Sequence, residues 1–181
     1  MRSKAVLAIG LLVLLPVAVT VFAETGGTTI DAEKIKFSFK DNVTVFWGTA
    51  LKPVSIEMDK YKITAAYLEY YQKEERVVAS GGVNLVGADP EVRLTAEQIE
   101  ARRDLILASG SVTFAYDQFA GSAEKLTYWP EEERLLLEGN PLVTTDGGEL
   151  KGQRIEVDLA DGTMVASGGS SLRLDEVGGS R

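Results

Sequence analysis

The chain has 181 residues, 45% of them hydrophobic and 25% charged, the composition of an ordinary globular domain. It contains no cysteine and no histidine, which excludes disulfide scaffolds, thiol nucleophiles, zinc-finger spacings and imidazole general bases. Nineteen basic against 27 acidic side chains leave a formal charge of −8, unsuited to a nucleic-acid surface.

Arg2 and Lys4 precede an uncharged run from Ala5 to Ala23, and Val21-Phe22-Ala23 then meets Glu24. A basic start, an apolar middle and a plausible cleavage point predict a signal peptide over residues 1–23, and hence export. The competing expectation is a retained membrane anchor, because the run approaches the ~20 residues of a spanning helix. Pro16, well inside the run, and the Ala23-Glu24 junction favour cleavage. Without cysteine, the exported part must hold together by apolar burial and backbone pairing.

The next segment opens a repeat. Ala32-Glu33-Lys34-Ile35 recurs as Ala65-Ala66-Tyr67-Leu68, Ala96-Glu97-Gln98-Ile99, Ala123-Glu124-Lys125-Leu126 and Gly152-Gln153-Arg154-Ile155, at intervals of 27 to 33 residues. A glycine follows each anchor in step: Gly48, Gly81, Gly110, Gly139 and Gly168. Between these landmarks the period is two. Ile35, Phe37 and Phe39 alternate with Lys34, Lys36, Ser38 and Lys40, and Val43, Val45 and Trp47 follow a turn at Asp41-Asn42. Val54, Ile56 and Met58, then Val112, Phe114 and Tyr116, then Ile155, Val157 and Leu159 continue the pattern. Such alternation predicts strands with one dry and one wet face.

Asp41-Asn42, Arg103-Asp104 and Ala160-Asp161-Gly162 predict tight hairpin turns, and Gln72 to Arg76 and Pro130 to Arg134 longer charged ones. Gly87 to Pro90, Asp117-Gln118 and Asp146-Gly147-Gly148 mark further reversals. Each repeat thus reads as roughly three short strands, giving about 14–16 in all. The unit is shorter than a propeller blade and carries hairpin turns, so the expected fold is all-β: an elongated antiparallel β-jelly roll with two open ends.

Asp31-Ala32-Glu33-Lys34-Ile35, Val77-Val78-Ala79-Ser80-Gly81-Gly82-Val83, Leu94 to Ile99, Gly121 to Leu126 and Leu136 to Pro141 together resemble the OstA/LptA-type family of Gram-negative envelope proteins. The resemblance runs from about Thr28 to Leu174, which sets a jelly-roll domain at 24–174 and a loose tail at 175–181. It implies a twisted, partly open β-jelly roll in the periplasm. It further implies a groove that holds the acyl chains of lipopolysaccharide on the way from inner to outer membrane. End-to-end strand pairing is implied too, with other copies and with Lpt-type jelly-roll proteins anchored in each membrane.

On that basis the groove is expected to be lined by Ile35, Phe37, Phe39, Val45, Trp47, Ile56, Met58, Val112, Phe114 and Tyr116, with Lys34, Lys36 and Lys40 as head-group contacts. Taken singly, such apolar residues are more often core than ligand wall, and such lysines more often a solvated strand face. The recurring glycines serve backbone needs, positive φ or a bulge. Glu131-Glu132-Glu133, Glu74-Glu75 and Asp158/Asp161 fall on predicted turns without the spacing of a calcium loop, and Ser80, Ser109 and Ser167 have no histidine partner and read as turn residues. No catalytic residue, metal or cofactor is expected. Two alternatives keep the fold: an inner-membrane-anchored LptC-like relative that hands lipid to a soluble bridge, and a structural β-repeat that assembles by strand addition without a ligand.

Overall fold

In the computed structural model the described residues are 29–174, apart from 59–60, 89–90 and 117–118. The expected signal peptide over 1–23 and the tail over 175–181 lie outside them, as do the expected reversals at Asp89-Pro90 and Asp117-Gln118. Sixteen strands are present among the described residues: β1 Thr29–Asp31, β2 Lys34–Ser38, β3 Val43–Trp47, β4 Val54–Met58, β5 Tyr61–Ala65, β6 Tyr67–Tyr71, β7 Arg76–Ala88, β8 Glu91–Ala101, β9 Ile106–Tyr116, β10 Phe119–Trp129, β11 Arg134–Glu138, β12 Leu142–Thr145, β13 Gly148–Lys151, β14 Arg154–Asp158, β15 Thr163–Ser167 and β16 Ser171–Leu174. The charged turn after β6 is a short 3-10 segment, Gln72–Glu74.

The strands form one antiparallel sheet that folds back on itself. One layer runs β2-β3-β6 into the first half of β7, the second half of β8, the first half of β9 and the second half of β10, then β11-β14-β15. The other layer runs β1-β4-β5 through the complementary halves of β7 to β10, then β12-β13-β16. The chain crosses between layers along a single spine, and this explains the repeat. Each Ala-Glu anchor lies where the chain passes from the second layer to the first, and each in-step glycine where it returns.

The central strands differ from the expected three short strands per repeat. β7 spans 13 residues and β8, β9 and β10 span 11 each, because their crossings are bulges inside continuous strands. The ladders shift register between Ser80 and Val83, between Thr95 and Gln98, and between Ala123 and Lys125. At the last four return crossings two consecutive residues have positive φ: Gly81-Gly82, Gly110-Ser111, Gly139-Asn140 and Gly168-Gly169. Such a bulge turns the strand sharply without breaking the ladder on either side.

The inner faces of both layers meet in one apolar core that extends from Phe46 and Leu68 to Ile155 and Val157. Along the first layer the facing residues are Phe46, Leu68, Ala79, Ile99, Ala108, Leu126, Leu137 and Ile155, each aligned with the next by strand pairing or one diagonal step. Ala108, Val112, Leu137, Val143 and Ile155 are wholly buried. Removing a valine, leucine or isoleucine side chain from water is worth about 1.5–3 kcal/mol, so the core, not surface pairing, sets the fold's stability.

One face assignment is corrected by the hairpin register. β2 and β3 pair Ile35 with Phe46 and Lys36 with Val45, so Phe46 shares the inner face with Ile35 and Phe37. Val45 and Trp47, expected on the inner wall, lie on the outer face opposite Lys36 and Lys34. β3 is apolar on both sides, so alternation within it alone could not choose the face.

Candidate functional site

Of the expected groove residues, Ile56, Val112 and Phe114 are buried in the core, and Tyr116 is half-buried and packed against it. Met58 is the last residue of β4. Ile35 and Phe37 belong to the inner face but stand 55% and 40% exposed, because β2 is an edge strand with a neighbour on one side only. Phe39 is not in a strand: it sits in the turn after β2, 85% exposed, its ring edge-on to Phe37 at 4.6 Å. The interior is thus not an apolar trough open along its length. Its middle is closed by residues each less than a tenth exposed, and the apolar lining is uncovered at the ends.

Among the described residues both ends are open edges. β1 and β2 bound one end and β15 and β16 the other, each pairing there with a single described neighbour. At the second end Leu172 and Leu174 face inward from β16, opposite Leu150 and Gly148, yet are 62% and 69% exposed. Uncovered apolar side chains beside unpaired backbone groups are what a further strand can cover.

Where the two layers' far margins approach each other, aromatic rings replace aliphatic chains. Phe119 stacks edge-on against both Phe114 and Tyr116, at 6.0 and 5.7 Å. Tyr128 comes from the opposite layer and is almost wholly buried; burial, with Glu133 and the nearby Tyr116 adding to it, pushes its phenol up to about 12. It therefore stays neutral and offers a hydroxyl inside an otherwise apolar margin.

The outer face of the first layer carries a second group that alternation did not reveal. Tyr67 and Tyr71 each donate a hydrogen bond to a different oxygen of Glu69, both at 2.5 Å, and hold its carboxylate below the usual range. Lys34 Nζ lies 4.8 Å from the Trp47 ring centre, Trp47 packs edge-on against Tyr67, and the Arg76 guanidinium covers Tyr71 at 3.8 Å. These contacts place Lys34 and Lys36 on the outer surface, away from the apolar interior; Lys40 lies in the turn with Phe39. The spacing of Tyr67, Glu69 and Tyr71 would have shown that they share a face.

The acidic turns are held by ion pairs and backbone hydrogen bonds. Among the described residues no group of three Asp or Glu side chains is placed to hold a metal ion. Glu74 pairs with Arg76 at 2.8 Å, Glu75 with Arg103 at 3.0 Å and Glu132 with Arg134 at 2.9 Å. Asp158 accepts hydrogen bonds from the backbone N–H groups of Ala160 and Asp161 and so shapes its own turn. Ser80, Ser109 and Ser167 are strand residues just before the return crossings, not turn residues.

A folded-back antiparallel sheet with an apolar interior and open edges at both ends defines an open-ended β-jelly roll. Residues 29–163 match the family described as LptA/(LptD N-terminal domain) LPS transport protein, and the chain belongs to that family. Among solved structures it is similar to LptH, the LptA-homologous periplasmic component of the lipopolysaccharide transport device of Pseudomonas aeruginosa. The identity is 12%, the TM-score 0.41, and the match covers 82% of this chain and 92% of that one. The search of curated proteins returned no match.

Proposed function

We propose that the protein is a periplasmic bridge module that passes lipopolysaccharide from the inner toward the outer membrane, its acyl chains sheltered between the two layers. The apolar inner face left uncovered at both ends carries this reading: Ile35 and Phe37 at one, Leu172 and Leu174 at the other. A neighbouring jelly roll that adds strands to β2 and β1, or to β15 and β16, covers these side chains and extends both layers, so that one interior continues into the next. The partners are inner- and outer-membrane jelly rolls of the same transport system, or a second copy.

Each acyl methylene removed from water contributes about 0.8 kcal/mol, so partial shelter of several chains holds a lipid without ionic contacts. Because the middle is closed, a chain entering from an end has to part the layers locally, exchanging protein contacts for lipid contacts of similar energy. That near balance suits a carrier that must release what it holds. Residues 63–181 carry 11 basic and 21 acidic side chains, which keeps phosphate-bearing head groups in solvent while the tails are covered. The leader directs export in either case; an intact mass starting at Glu24 supports the soluble bridge, and a retained leader makes the chain the anchored relative instead.

The closed middle favours one other function: a scaffold that assembles by strand addition and carries no ligand. Titration of the purified protein with labelled lipopolysaccharide separates the two. The carrier shows saturable binding that lipid A competes away. The scaffold shows none.

A further inference from the structure

The turn that follows β2 differs from the rest of the surface. Lys34 to Lys40 reads Lys-Ile-Lys-Phe-Ser-Phe-Lys, three cations and three large apolar side chains without a carboxylate, in a chain of net charge −8. Phe37 and Phe39 form an exposed aromatic pair, and Lys36 and Lys40 have no carboxylate partner among the described residues. The carboxylates of this turn and of the adjoining one are already engaged. Asp41 accepts a hydrogen bond from the Ser38 hydroxyl at 2.7 Å. The adjoining turn, tied to this one by the Gln72 N–H on the Asn42 carbonyl, has its Glu74 and Glu75 paired with Arg76 and Arg103.

We propose that this turn, with Phe39 at its tip and Lys36 and Lys40 beside it, is a docking point for an anionic phospholipid bilayer. Exposed phenylalanines bury at the boundary of headgroups and acyl chains, and lysines beside them are drawn to an anionic surface within a Debye length. The two signals are weak singly and effective together, which makes the contact reversible. The acidic remainder of the chain is repelled by the same surface, so the attraction is confined to this corner. A partner strand is a poorer fit to Phe39, because the β2 ladder ends at Ser38 and strand addition along Lys34–Ser38 leaves the tip uncovered. Docking here goes beyond lipid carriage and does not depend on it.

The absence of cysteine permits a single reporter. In Asp41→Cys, an environment-sensitive dye on the turn is mixed with vesicles of phosphatidylcholine containing 30% phosphatidylglycerol, without lipopolysaccharide. The dye reports its own surroundings, so capture through another segment gives no response. We expect at least a twofold rise in emission with a blue shift. It should be absent with pure phosphatidylcholine, lost in 0.5 M salt, and shifted to at least fivefold higher lipid concentration by Phe39→Ser or by Lys36→Gln with Lys40→Gln. Both variants should melt with the parent, because these side chains are exposed. A silent dye, an unchanged Phe39→Ser titration, an equal response from a dye at Ser171→Cys, or a response only to a second jelly-roll protein each overturns the proposal. A silent dye leaves the bridge function standing, since no lipopolysaccharide is present.

Discussion

Gly110 sits directly against Glu97: a β-carbon on Gly110 would come within 2.5 Å of the Glu97 Cβ. The same contact joins Gly81 to Ala66, Gly139 to Glu124 and Gly168 to Gln153. The two landmarks that keep step along the sequence are therefore neighbours in space. These four glycines make room for the crossing before them and build the spine that fixes the two layers; Gly48 instead lies against the loop that follows it, at the Val54 N and Pro53 backbone.

Two glycine substitutions separate the parts of this contact. Gly110→Ala combines a positive φ with the collision and should cost about 2–4 kcal/mol. Gly82→Ala has a similar φ but open space around it, and should cost about 1 kcal/mol. Urea denaturation measures both; equal losses would remove the collision from the explanation.

Phe114 and Thr113 are adjacent on β9 and face opposite ways, Phe114 into the core and Thr113 outward, where its hydroxyl meets that of Thr95 at 2.6 Å. Phe114→Ala should destabilise by about 3–5 kcal/mol and Thr113→Ala by about 1 kcal/mol. Of the charged variants, Phe114→Asp should weaken lipopolysaccharide retention more than Thr113→Asp. Equal weakening in folded protein would reverse the assignment of that strand's faces.

The pH dependence follows from Glu69 and its two tyrosines. Glu69 lies below its ordinary 4.5 in the fold, so its contribution is complete above 4.5 and lost as pH falls through the lowered value. Tyr67 is raised from 10.0 to about 12, chiefly by its bond to Glu69, so its contribution is complete below 10 and lost between 10 and about 12. Tyr128 behaves like Tyr67 on the alkaline side, through burial. Glu69→Gln should flatten the acid limb of a melting-temperature profile and reduce, without abolishing, the alkaline limb. An unchanged acid limb would show that the pair of hydrogen bonds is not formed in solution.

Assembly through the open edges predicts that lysine on an end face acts on association and not on folding. Ile35→Lys and Leu172→Lys are at exposed positions and should change stability by no more than about 0.5 kcal/mol. Sedimentation over a range of concentrations should show each variant losing the end-to-end association that the proposed assembly expects of the parent. Retained association in both would place the contact elsewhere.

Much of this architecture was legible in the sequence because the core strands alternate cleanly: Val112 and Phe114, or Ile155 and Val157, can bury only one way. β3 was not, because Val43, Val45 and Trp47 on one side compete with Phe46 on the other, and the choice rests on the pairing of Phe46 with the buried Leu68 of β6, a long-range fact. Phe39 keeps the alternation of β2 but lies past the end of its ladder. The closed middle was also hidden: Ala79, Ala101 and Ala108 are too small to announce themselves in a hydrophobic pattern, yet they let the layers approach.

The proposed carriage requires acyl chains to lie between the layers. A photoreactive residue placed in turn at Val112, Thr113 and Phe114 in cells that transport lipopolysaccharide tests this most directly. Crosslinks to lipopolysaccharide from positions 112 and 114, with little or none from 113, are the predicted result. Equal crosslinking from all three, or none from any, would contradict it.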